Sequence, residues 1–131
     1  YMKRRTAREK ALQALFQIDL AQTEVQDAIS NVLEDQPKDA YLEFLVVGAV
    51  ENLEKIDEII KANLENWTID RLGNIDRNIL RIATFEMLKS TDVPVNVVID
   101  ESIEIAKVYG DDQSSKFVNA VLSKVKLHLH L

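Results

Sequence analysis

Apolar residues recur at three- and four-residue steps through nearly the whole chain, the spacing of amphipathic helices. Ala7, Ala11, Leu15 and Ile18 form the stripe of a first helix over about 6–21, with Thr6 and Glu9 placed as a capping box. Val25, Ala28, Ile29, Val32 and Leu33 give a second over about 24–33. Gln36-Pro37 closes it off, because proline disfavours helical backbone in the residue before it. Asp39 can cap a long third helix to about residue 64, whose apolar positions are Leu42, Leu45, Val46, Ala49, Leu53, Ile56, Ile60 and Leu64.

Residues 67–73 read as a turn or short helix, the seam between an N-terminal half of about 1–66 and a C-terminal half of about 67–131. The next helix, about 75–89, is apolar on most sides, which predicts a buried central element. The β-branched stretch Val93-Pro94-Val95-Asn96-Val97-Val98-Ile99 resembles a strand, yet Val95, Ile99, Ile103 and Ala106 share one helical face and Pro94 suits a first turn. It is read as a helix ending at Gly110, with a last helix over about 113–127. The pattern predicts one all-α domain of six or seven helices.

Composition narrows the chemistry. The chain has no cysteine, and its two histidines, His128 and His130, lie within four residues of the C-terminus. Gly48, Gly73 and Gly110 are too far apart for a phosphate-cradling loop. No metal, cofactor or catalytic set is expected. The longest apolar run, residues 44–50, is far short of the ~20 that cross a bilayer. A soluble, cytoplasmic protein without a membrane segment is expected.

Charge adds a direction. The net charge is −6, but residues 1–10 hold five cations and one acid, a local +4 that leaves −10 on the rest. A basic arm on an acidic body suggests a small, directional anion site, such as a phosphate backbone; a solvated terminus is the plainer alternative. Arg8, Leu12 and Phe16 follow one line on the first helix, below Lys3, Arg4 and Arg5. Arginines beside an aromatic ring suit single-stranded nucleic acid, although for Phe16 itself packing against a neighbouring helix is the plainer reading. On the last helix, Phe117 flanks the core face of Val118, Val121, Leu122 and Val125, with Lys116 before it and Lys124 nearby. It can stack a base or fill a groove.

Arg77, Arg81 and Phe85 form another line on the central helix. Glu86 falls on that helix's apolar face, where an unpaired charge would be costly. The favoured reading is structural: a carboxylate accepting backbone N–H groups at another helix's start. Asp100/Glu101 and Asp111/Asp112 are adjacent pairs that point in divergent directions, so they read as solvated or capping.

These segments together resemble the NusB family of bacterial transcription antitermination factors, from Met2 to about Val125. The resemblance rests on Arg4-Arg5-Thr6-Ala7-Arg8-Glu9 with Ala14-Leu15-Phe16, on Asp76-Arg77-Asn78-Ile79-Leu80-Arg81-Ile82-Ala83 with Phe85-Glu86, and on Val93-Pro94-Val95. It continues through Glu101-Ser102-Ile103-Glu104-Ile105-Ala106-Lys107, Tyr109-Gly110-Asp111 and Lys116-Phe117-Val118-Asn119-Ala120-Val121-Leu122. The histidine-bearing tail matches none of the family's motifs.

The resemblance implies two packed three-helix subdomains and no catalysis. It implies binding to boxA RNA together with a small-subunit ribosomal protein, NusE, within the RNA polymerase antitermination complex that serves ribosomal RNA transcription. It maps RNA contacts to Lys3, Arg4, Arg5, Arg8, Phe16, Lys116, Phe117 and Asn119. Thr6 after Arg4-Arg5 shortens the family's arginine run by one phosphate contact. Asp70 and Asp76 are candidates to face the basic protein partner. An RNA-targeting region of an RNA methyltransferase and a purely protein-binding helical adaptor are the alternatives, and both a monomer and a homodimer are compatible with the sequence.

Overall fold

The computed structural model describes residues 2–90 and 92–131. They form seven α-helices and one short 3-10 turn, with no strand among the described residues. The helices are α1 (Arg4–Ala21), α2 (Val25–Leu33), α3 (Ala40–Glu51), α4 (Leu53–Ala62), α5 (Asn74–Lys89), α6 (Val95–Tyr109) and α7 (Ser114–His128), with the turn at Ile69–Arg71. The β-branched 93–99 stretch is helical from Val95, as its one-sided apolar spacing predicts.

The expected helix boundaries need three corrections. α1 begins at Arg4, so Thr6 lies inside the helix and the capping box does not form; Lys3 is the N-cap and makes no side-chain cap bond. The single long helix of 39–64 is two, broken at Asn52. There the side-chain amide donates to the Gly48 carbonyl (2.8 Å), competing with the helical ladder. Asn63 ends α4 the same way, donating to the Ile59 carbonyl. Gly110 is extended rather than left-handed (φ −95°). Its missing side chain serves close packing, since a Cβ there would lie 2.4 Å from Ser114 Oγ. The Asp39 and Glu24 carboxylates cap α3 and α2 through backbone N–H groups.

α5 is the hub. It packs on α1, α3, α4, α6 and α7, while α1 also packs on α2 and α3. That is why α5 buries residues from Asn78 to Met87 almost continuously. Gly48 lets α3 approach it: a Cβ on Gly48 would fall 2.0 Å from the buried Phe85 ring. Two arginines tie the hub to its neighbours. Arg77 donates to Asp19 of α1 (2.7 Å) and to the Leu72 carbonyl (2.9 Å). Arg81 holds both oxygens of Asp57 on α4, each at 2.9 Å. Burial works against the Asp19 charge, but hydrogen bonds from Arg77 and Asn78 hold its carboxyl below the usual aspartate range. The Arg77–Arg81–Phe85 line is therefore a clamp inside the fold.

Candidate nucleic-acid interface

Helical backbone from Arg4 onward projects Lys3, Arg4 and Arg5 at the start of α1, all three exposed. Lys3 makes no ion pair among the described residues. Arg4 donates to Asp92 (3.1 Å) and stacks its guanidinium 3.9 Å from the centre of the Tyr41 ring, a cation–π contact. Arg5 places Nε 2.8 Å from Glu101 Oε2, with Nη2 on the same oxygen. These pairings hold both guanidinium groups even more firmly in their charged form than usual.

Arg8 does not join this surface. It is 3% exposed and its guanidinium grips Glu86, with Nε on Oε1 (2.7 Å) and Nη2 on Oε2 (2.9 Å). The reason is that α1 is covered on more than one face. Arg8 and Leu12, read as a line beside the core stripe, are inside it, because α5 and α6 close over that side. Glu86 is buried and structural as expected, but its partner differs. It accepts from Arg8 and from the Tyr41 hydroxyl (2.5 Å) rather than from backbone N–H groups of a helix start. Burial, and then the Glu86 charge beside it, push the Tyr41 phenol above its usual range.

Phe16 is half-buried, with part of its ring packed against the core. The second candidate locus lies at the start of α7. Lys116 and Asn119 are exposed, and Asn119 accepts from Ser123 Oγ (3.3 Å). Phe117 is half-buried, packed on the core along one edge and lining an open groove of about 230 Å³ along the other. Trp67, 55% exposed, and Arg71 share that groove, so two aromatic rings and a guanidinium face one concavity. Asp76 also lines it, with one buried carboxylate oxygen lacking a hydrogen-bond partner. Burial pushes the Asp76 carboxyl up, Ser114 pulls it down, and the nearby Asp111 charge pushes it up again, for a net upward shift. Asp70 is exposed on the 3-10 turn.

Sequence reasoning missed several groups around the arm. Glu101 is an ion-pair partner of Arg5 rather than a solvated acid, and its other oxygen lies 3.7 Å from Arg8. Tyr41 and Asp92 enter only through contacts made across the fold. Trp67 and Arg71 had a visible signal, an aromatic and a cation in the segment read as a turn. Asp111 does cap, its Oδ1 accepting the N–H groups of Gln113 and Ser114.

The fold and this surface define an all-helical domain that concentrates positive charge at the start of its first helix, on an otherwise acidic body. Comparison with known proteins says which one. The NusB family model matches residues 5–126, and the chain belongs to that family. The transcription antitermination protein NusB of Bacillus licheniformis is 57% identical over 128 residues, spanning 98% of this chain and 99% of that one. That of Bacillus subtilis is 53% identical over 125 residues, 95% of each. Among solved structures, NusB of T. maritima matches at a TM-score of 0.88 and 37% identity over 99% of both chains. A structure of the antitermination factors NusB and NusE in complex with dsRNA matches at 0.84 and 36% identity, covering 95% of this chain and 96% of that one.

Proposed function

We propose that this chain is a non-catalytic adaptor of transcription antitermination, acting in the cytoplasm. It binds boxA RNA together with the ribosomal protein NusE and joins them to the RNA polymerase antitermination complex. The observation that carries this reading is the exposed cationic start of α1, set on a body of net −10 in a chain of this family. Two further features support it. A NusB of the same fold occurs in complex with NusE and dsRNA, and among the described residues no helix is long and apolar enough to cross a membrane. The RNA contacts are Lys3, Arg4 and Arg5 on phosphates, with Phe117 stacking a base between Lys116 and Asn119. Arg8 is withdrawn from that set because its charge is already neutralised by Glu86. Asp70 and Asp76 are acids available to a basic partner protein. The helices act as one binding unit, with α4 packed on α5 and α7 across the seam expected near residue 66.

The test is RNA affinity at several salt concentrations, with and without NusE. Each phosphate neutralised on a single strand contributes a slope of about −0.7. Three cations therefore give at most roughly −2.1, and replacing Lys3, Arg4 and Arg5 by alanine should flatten it while weakening all RNAs alike. Phe117→Ala should cost about 1–3 kcal/mol and leave the slope unchanged. A folded arm variant with wild-type affinity and slope would refute the reading.

A further inference from the structure

Both arginines of the arm are occupied by acids of the same chain, and the two pairings are not alike. Asp92 is an exposed carboxylate meeting an exposed Arg4, and it also accepts from Ser90 Oγ (3.0 Å). Such a pair is loose and worth little. Glu101 is held differently. Its side chain is 22% exposed while that of Arg5 is 45% exposed. One oxygen takes Arg5, and the other faces Arg8, whose guanidinium is locked on Glu86 and cannot follow it. Glu101 is thus tethered by a buried cation at the point where an outer cation must be surrendered to any incoming phosphate.

We propose that Glu101, with Asp92 as a weaker second, is a built-in competitor for RNA phosphate that holds down sequence-independent binding by the arm. The inference rests on the RNA reading above and adds a residue that sets its selectivity. An arginine already paired with a carboxylate brings less net positive charge to a phosphate, so its contact releases fewer of the RNA's condensed counterions and yields less binding and less salt dependence. Phosphate contacts position the strand without reading it. A carboxylate that taxes them leaves recognition to groups that touch bases. When Arg5 moves to a phosphate, Glu101 retains Arg8, so its charge is not stranded by the exchange.

The experiment is a fluorescence-anisotropy titration with labelled single-stranded boxA RNA and a scrambled RNA of equal length, across a salt series. The proteins are wild type, Glu101→Gln, Asp92→Asn, Arg5→Ala, Arg5→Ala with Glu101→Gln, the Lys3/Arg4/Arg5 alanine variant, and Glu58→Gln. Glu58 is an exposed acid on α4 and controls for net charge. Glu101→Gln should tighten both RNAs about 3- to 5-fold at low salt, the upper end for an exposed ion pair. It should also steepen the slope by up to about 0.7. Asp92→Asn, at a position too exposed to affect folding, should give a smaller gain in the same direction. The Glu101→Gln gain should vanish in the Arg5→Ala background, the coupling that a double-mutant cycle isolates.

A gain equal to that of Glu58→Gln, or one that survives without Arg5, would overturn the proposal. So would a gain confined to boxA, since Glu101 would then be reading a base. If the arm variant weakens binding but neither acid variant strengthens it, only the competition falls. If the arm variant binds like wild type, the RNA reading falls with it.

Discussion

Replacing Glu86 by alanine removes the acceptor of three hydrogen bonds at once, two of them buried and one part-buried. Arg8 Nε and Nη2 and the Tyr41 hydroxyl all lose their partner, in a place where Arg8 is 3% and Glu86 1% exposed. Breaking a buried ion pair from one side costs about 3–5 kcal/mol, because the remaining charge stays desolvated without compensation. Domains of this size have only about 5–15 kcal/mol of stability in all, so Glu86→Ala should approach the edge of folding. With a urea dependence of roughly 2 kcal/mol per molar, its unfolding midpoint should fall by about 2 M. Far-ultraviolet circular dichroism against urea measures this directly. A repair variant isolates the cause. Changing Arg8→Met, Tyr41→Phe and Glu86→Leu together removes the three groups of this cluster and leaves Glu101 its Arg5 partner, and should recover most of the loss, since an apolar replacement of a buried pair is often neutral or better. Glu86→Ala losing less than about 1 kcal/mol would refute the reasoning, as would a repair variant no more stable than the single one.

Two further outcomes follow from packing and burial. Gly48→Ala should destabilise the protein although alanine is the better helix former by about 1 kcal/mol, because its Cβ would collide with Phe85, whose ring already packs on α3 with the Phe44 ring of that helix 4.9 Å away; a raised melting temperature would show that the ring yields freely. Asp76→Asn should raise the melting temperature at neutral pH. A carboxyl pushed up in the folded state binds its proton more tightly there than in the unfolded chain, so its contribution is present below about pH 4 and lost as the pH rises through the folded value. The advantage of asparagine should shrink as the pH falls toward 4, and a benefit independent of pH would contradict it.

The elements were legible because helices are local. The three- and four-residue spacing located each helical segment, Pro94 and Asp39 marked starts, and the 93–99 stretch was helical from Val95 in spite of its β-branched residues. The break at Asn52 was not legible in that spacing, since α3 is apolar nearly all round and α4 continues the stripe; a side chain bonding back to the Gly48 carbonyl made the difference.

Charge patterning alone located the basic arm, and the position of Glu86 on an apolar face alone demanded a partner. Tertiary structure chose that partner. Arg8 and Glu86 lie 78 residues apart, and they meet because α1 is enclosed by α2 and α3 as well as by α5, so a helix with one apparent stripe buries two faces. The same packing took Arg8 off the surface, brought Glu101 against Arg5, and set Trp67 beside Phe117. A single helix's periodicity tells which side is apolar. How many neighbours will cover it depends on the contacts of distant segments, and that decided which cations remain at the surface.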